Sequence, residues 1–194
     1  MAPGAAGWPR TMLGTHASPD QIIRATELLR RAAMAADLAG RPLYAGLRSL
    51  GLPGDGSWGD LWRASDLIRE HRGDSHTLAW AAMGLTAVEI TLLTERWWGI
   101  PLGTYVRTRG WTDDQIATAK TSLERRDFIS GDDFTPAGEE LRGVIEEMTD
   151  RGEAAIVNAL GSDADELFAI IEPWGEVVVA EGGYPSHPRD MTRR

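Results

Sequence analysis

Apolar residues recur along most of this chain at intervals of three and four, the period of a helix with one buried face. Ile22, Ile23, Leu28, Leu29, Ala32 and Ala36 form the first such stripe. Ser18-Pro19-Asp20-Gln21 opens it as a capping box with proline at the first helical position, and Gly40 is the expected stop. Pro42 starts a short helix over 42–50, and Leu52-Pro53-Gly54-Asp55-Gly56 reads as a turn. Leu61, Trp62, Ser65, Ile68 and Arg69 share a face of a helix opened by Ser57-Trp58-Gly59-Asp60. Gly73 is expected to interrupt that helix after Arg72. Asp74 or Ser75 would then cap a successor ending near Gly84.

From residue 86 the pattern changes to shorter elements. Thr86-Ala87-Val88-Glu89 is a second capping box, and its helix must end at Gly99 before Pro101. Thr104–Arg109 gives one or two helical turns stopped by Gly110. Thr112-Asp113-Asp114-Gln115 is a further capping box, with Ile116, Ala119, Leu123 and Phe128 on the buried side of its helix. Phe128-Ile129-Ser130 and Phe134-Thr135 around a Gly131-Asp132-Asp133 tip predict a minimal hairpin. Thr135 and Pro136 then open a long helix striped by Leu141, Val144, Ile145 and Met148, and a last helical region, 163–181, is expected to break at Pro173.

Helix, short helix, tight turn, longer helix, hairpin, long helix is the order of a winged helix-turn-helix, with 112–126 in the place of the recognition helix. The expected fold class is therefore all-α with one small β-hairpin wing: a winged helix-turn-helix plus an N-terminal helical bundle segment. The expected division is a flexible leader over 1–17, a helical segment over 18–85, the winged helix-turn-helix over 86–160, and a C-terminal helical segment and tail over 161–194.

The run Leu123-Glu124-Arg125-Arg126-Asp127-Phe128-Ile129, followed by Phe134-Thr135-Pro136-Ala137-Gly138, resembles the wing of MarR-type regulators. In that family a leucine and a charged pair lead into the wing, and a Leu-Thr-x-x-Gly run opens the next helix; here Phe134 stands for the leucine. Across about 18–185 the chain also resembles an uncharacterised actinobacterial helix-turn-helix family. The runs Arg69-Glu70-His71-Arg72-Gly73-Asp74-Ser75-His76 and Thr108-Arg109-Gly110-Trp111-Thr112-Asp113-Asp114-Gln115 carry that likeness, with Ser75 where glycine is usual. The chain resembles the C-terminal two-thirds of that family, which implies a missing N-terminal helical segment. Apolar surface at Ile22, Leu29, Trp58 and Trp62 would then be left open for self-association. The resemblance implies a fold and an origin, and supplies no catalytic residues. The first functional expectation is a MarR-like, DNA-binding transcriptional regulator, responsive to a small-molecule effector and homo-oligomeric.

Charge complicates that expectation. The 194 residues carry a formal net charge of -9, with arginine used throughout and lysine only at Lys120. An acidic chain repels nucleic acid at long range, so binding needs a local basic surface. Arg107, Arg109, Lys120, Arg125 and Arg126 are the candidate DNA contacts; Asp113 and Asp114 on the recognition helix and Asp132 and Asp133 at the wing tip oppose them. The competing reading is a winged helix that no longer binds DNA and instead binds a small molecule, or is an enzyme.

That reading centres on His71, Arg72, Asp74 and His76, with Trp62 and Trp80 as candidate lining. Histidines five apart do not share a helix face, but a break at Gly73 would bring His71, Asp74 and His76 together. A polar seam between helices explains the same residues more simply, and no metal is assigned. Eight of the fourteen aromatic residues are tryptophan, and those over 58–98 would line an effector pocket or fill a core. There is no cysteine, no Walker or Gly-x-Gly-x-x-Gly loop, no Gly-x-Ser-x-Gly elbow and no HExxH pair. No cofactor is expected, no apolar run suggests a membrane partner, and the absence of a signal-like start suggests a cytoplasmic location.

Overall fold

The computed structural model describes residues 11–52, 54 and 58–183. The chain forms two compact units, the first built from residues up to Ser75 together with those from Asp150, the second from His76–Thr149. Most of the expected leader, most of the turn at 52–56, the helix opener Ser57 and the tail beyond 183 lie outside the described residues.

In the first unit, α1 (Pro19–Ala35) begins with the expected capping box: the Ser18 hydroxyl accepts from the Gln21 N–H, and the Gln21 side chain accepts from the Ser18 N–H. It ends short of Gly40, with Ala36 already extended. Helix α2 is Pro42–Ser49, and α3 begins at Trp58 and continues to Ala82. After Asp150 come the end of α6 (Pro136–Gly152), α7 (Ala154–Leu160) and α8 (Asp163–Ala180). Leu13, Ile22, Leu28, Leu29, Trp58, Leu61, Leu167 and Trp174 share one apolar core, and Ala32, Ala33, Tyr44, Leu67 and Ile156 a second. Leu13, within the expected leader, is thus a core residue. Ile22, Leu29 and Trp58 are buried and do not form the open patch expected of them; of that set only Trp62 is exposed.

Two expected breaks do not occur. Helix α3 runs through Gly73, and α8 runs through Pro173. A glycine costs a helix interior only about 1 kcal/mol relative to alanine. Burying Ala64, Leu67 and His71 before Gly73, and Asp74, Ser75 and Ala79 after it, outweighs that penalty.

The second unit is the winged helix. It contains the end of α3, then α4 (Ala87–Trp97), a 3-10 turn (Tyr105–Arg109), α5 (Asp113–Arg125), β1 (Ile129–Ser130), β2 (Asp133–Phe134) and most of α6. The strands pair antiparallel, Ile129 with Phe134 and Ser130 with Asp133, across a Gly131-Asp132 tip; Gly131 takes a positive φ of 62° there. This is the two-stranded sheet found among the described residues. Val88, Leu92, Leu93, Val106, Ile116, Leu123, Ile129 and Ile145 close the core.

Two close approaches set the wing. Helix α5 ends in a Schellman turn: Asp127 N–H donates to Glu124 O and Phe128 N–H to Leu123 O, with Asp127 itself left-handed at φ 59°. The Thr135 hydroxyl donates to Asp127 O and accepts from the Gly138 N–H at 3.1 Å. A Cβ on Gly138 would lie 1.8 Å from the Phe128 carbonyl oxygen. The Thr-x-x-Gly run therefore has a steric cause: the first turn of α6 rests directly on the backbone that enters the wing.

Candidate nucleic-acid interface

Helix α5 buries Ile116, Ala119 and Leu123. At about 100° per residue, the opposite face carries Asp114, Ala117, Thr118, Thr121 and Arg125, and all five are exposed. The helix starts on a capping box in which Thr112 and Gln115 exchange hydrogen bonds, so its first turn is fixed.

Turn and helix are held in register by Glu95. This wholly buried carboxylate accepts from the Gly103 N–H at 2.7 Å and the Val106 N–H at 2.6 Å. Burial pushes the Glu95 carboxyl above its ordinary range, partly offset by hydrogen bonds from Val106, Gly103, Tyr105 and Thr104. Glu89 is a second buried carboxylate. Burial raises it, but bonds from Thr86 and Ser122 and the charge of Arg126 outweigh that and hold it below the carboxylate range. Glu89 was expected only as the closing residue of the Thr86 capping box, which it is, and Glu95 was not singled out from sequence. The signal available was a glutamate where the Val88, Leu92 spacing calls next for an apolar residue.

The five candidate cations divide by their partners. Arg126 is structural: it bonds the carbonyls of Gly84 and Met83 at 3.0 and 3.1 Å, lies 3.7 Å from Glu89 and covers the Phe128 ring. Arg107 pairs with Asp113, and Arg109 bonds the Tyr105 hydroxyl and lies over its ring. Lys120 pairs with Asp132 at 2.6 Å, a contact that raises its ammonium pKa. Asp133 at the wing is matched by Arg96 at 3.0 Å. Arg125 has no side-chain hydrogen bond or ion pair among the described residues, and neither has Asp114. The acidic wing tip is thus largely neutralised within the unit.

A groove of about 460 Å³ lies between the first turn of α4 and the flank of α5, bounded by Thr86, Val88, Trp111, Asp114, Thr118 and Ser122.

The histidine segment spans the end of the first unit and the start of the second. His71 is 1% exposed, with Nδ1 2.8 Å from Glu153, and its ring meets Tyr44 edge-on at 5.0 Å. Ser75 donates to the same Glu153 carboxylate at 2.8 Å and accepts from Arg41 at 3.2 Å. Asp74 caps a helix, but not its own: it accepts from the Tyr44 N–H of α2 at 2.9 Å. Arg72 approaches Asp150 at 3.8 Å. His76, in the second unit, bonds Thr149 at 3.2 Å. Trp62 is exposed in the first unit, and Trp80 packs against the core of the second. No group of three metal-ligating side chains occurs among the described residues. The glutamate that His71 meets is 82 positions away in sequence, and local spacing gave no sign of it.

Among the described residues, no single helix is long and apolar enough to cross a membrane. The model of a helix-turn-helix family matches residues 2–185. No curated protein and no solved structure matches the chain.

Proposed function

From the premise that this chain belongs to that helix-turn-helix family, we propose that it is a DNA-binding transcriptional regulator of MarR-like design. The observation that carries the reading is the outer face of α5: a capped helix beside a hairpin wing, exposing short polar side chains and one unpaired arginine. Phosphate contacts come from Arg107, Arg109 and Lys120, with Arg125 facing the DNA from the outer side of α5. The pairs that hold Arg107 and Lys120 are exposed at their aspartates. Such surface pairs contribute only about 0–1 kcal/mol, so both cations can turn to phosphate at little cost. Arg126 stays with Glu89 as part of the scaffold.

The same reading makes the protein a homo-oligomer whose two α5 helices meet related half-sites. Val157 and Phe168 of the first unit, both well exposed, offer apolar surface to a second copy. A small-molecule effector fits the groove between α4 and α5, where its occupant would touch Asp114 and Thr118. Burial and internal pairing of His71 and Asp74 support a scaffold role for the histidine segment.

The test is a mobility-shift titration of the full chain on duplexes from around its own gene, from low to moderate salt. Binding should weaken with salt by a slope of about −0.9 per phosphate contact, and alanine at Lys120 or Arg109 should flatten the slope by about one unit each. No shift at the lowest salt by a folded, pure chain overturns the reading.

A further inference from the structure

The outer face of α5 carries an unusual order of chemistry for a helix that enters a DNA groove. Asp114 lies in the first turn, Ala117, Thr118 and Thr121 in the middle, and Arg125 at the end. The other acidic residues flanking this face at the helix start and the wing tip have partners: Asp113 has Arg107, Asp132 has Lys120 and Asp133 has Arg96. Asp114 alone of these four has no side-chain partner among the described residues, and Arg125 none at the other end. The face therefore presents a free acceptor at one end, methyl groups in the middle and a free five-donor fork at the other.

We infer that Asp114 reads a cytosine amine in the major groove and Arg125 a guanine in the same half-site, with thymine methyls packed against Ala117 and Thr121 between them. The inference rests on the DNA-binding reading above and adds to it the sequence class of the target.

The chemistry of the base edges leads there. In the major groove a carboxylate finds a donor without a flanking ring-nitrogen acceptor only at the cytosine N4 amine; the adenine amine stands beside N7. Guanine and thymine present acceptors at that place, and a carboxylate brought against them is repelled without solvent to screen it. Asp114 thus selects as much by rejecting other bases as by binding cytosine. Arginine matches the paired O6 and N7 acceptors of guanine with two parallel bonds.

Spacing sets the length of the site. Asp114 and Arg125 stand eleven positions apart, about 16 Å along the helix axis, which corresponds to about five base-pair steps of 3.4 Å. An acidic reader also lowers affinity for arbitrary duplex, so this chain should hold few non-target sites despite its fold.

The experiment is selection of the full chain on a random-duplex library at about 50 mM salt, followed by sequencing, for the wild type, Asp114→Asn and Arg125→Ala. Both positions are exposed, and circular dichroism serves to check that each variant is folded. The wild type should enrich a half-site with a fixed cytosine and a fixed guanine about four to six pairs apart. Asp114→Asn should move only the cytosine position, toward adenine, the base that an asparagine amide matches, with discrimination shifting roughly tenfold or more. Arg125→Ala should flatten only the guanine position. An unchanged motif in Asp114→Asn, beside normal enrichment by the wild type, overturns the inference and leaves the DNA-binding reading standing. Failure of the wild type to retain any duplex overturns both.

Discussion

Replacing Glu95 by alanine should be among the most damaging single changes in the winged helix. The carboxylate is the acceptor for two backbone N–H groups, those of Gly103 and Val106, in a stretch that has no strand or α-helix to satisfy them otherwise. Glu95 and Val106 are both wholly buried. An unsatisfied buried donor costs about 1–3 kcal/mol, which puts the alanine variant about 2–6 kcal/mol below wild type. That is a large part of the roughly 5–15 kcal/mol that stabilises a domain. Glutamine keeps one acceptor oxygen and turns an N–H₂ toward the other amide, because the two bonds go to different oxygens. Its cost should be about half, roughly 1–3 kcal/mol.

Urea unfolding followed by tryptophan fluorescence measures both variants, and hydrogen exchange should show the Gly103 and Val106 amides losing protection first. The pH dependence gives a second check. The folded-state pKa of Glu95 lies above its ordinary 4.5, so the native chain binds that proton more tightly than the unfolded chain. Its contribution to stability is therefore fullest below pH 4.5 and is lost as pH rises through the raised value. Glu89, depressed, runs the other way: its contribution is present above 4.5 and lost as pH falls through the folded value. An alanine variant within about 0.5 kcal/mol of wild type, or a Glu95→Gln variant whose pH profile is unchanged, would refute the assignment.

Three further outcomes follow from local geometry. Gly138→Ala places a methyl on the Phe128 carbonyl and should cost several kcal/mol, at least the roughly 1–3 of ordinary overpacking, read as a fall in midpoint with loss of the wing's amide protection; wild-type stability in that variant would mean the two segments are not in contact. Asp127→Gly relieves a left-handed aspartate and should raise stability by about 1 kcal/mol in a thermal melt, whereas Asp127→Val should lower it; equal melting of the two would contradict the Schellman turn. Asp74→Ala should cost about 0.5–2 kcal/mol, the usual loss for a helix cap, and should expose the Tyr44 amide to exchange; an unchanged Tyr44 rate would show that the cap is not formed.

What the sequence disclosed was what is written locally. Ser18, Thr86 and Thr112 each make both bonds of the expected capping box, because the partners lie three residues apart and need nothing else. The hairpin between α5 and α6 was legible for the same reason. Gly73 and Pro173 misled because a breaker acts over one turn, while the burial that overrides it is summed along a whole helix face. The candidate cations were visible as residue types, but not their pairing with Asp113 and Asp132, which alters what each has to offer. The histidine segment looked like chemistry because its charges are adjacent. Its actual partners, Glu153 and Tyr44, come from other elements, and only the fold brings them in.

The cap that α3 lends to α2 has a consequence for how the chain comes together. Eight residues are too few for a helix to persist alone in water, and α2 has no side-chain cap of its own. Its stabilising carboxylate arrives from a residue 30 positions later. Helix α2 must therefore wait for α3, and the intervening segment has to close as a loop before either gains from the contact. In a refolding experiment, mutations within α2 should speed unfolding and leave the folding rate nearly untouched, the mark of an element that joins after the barrier has been crossed.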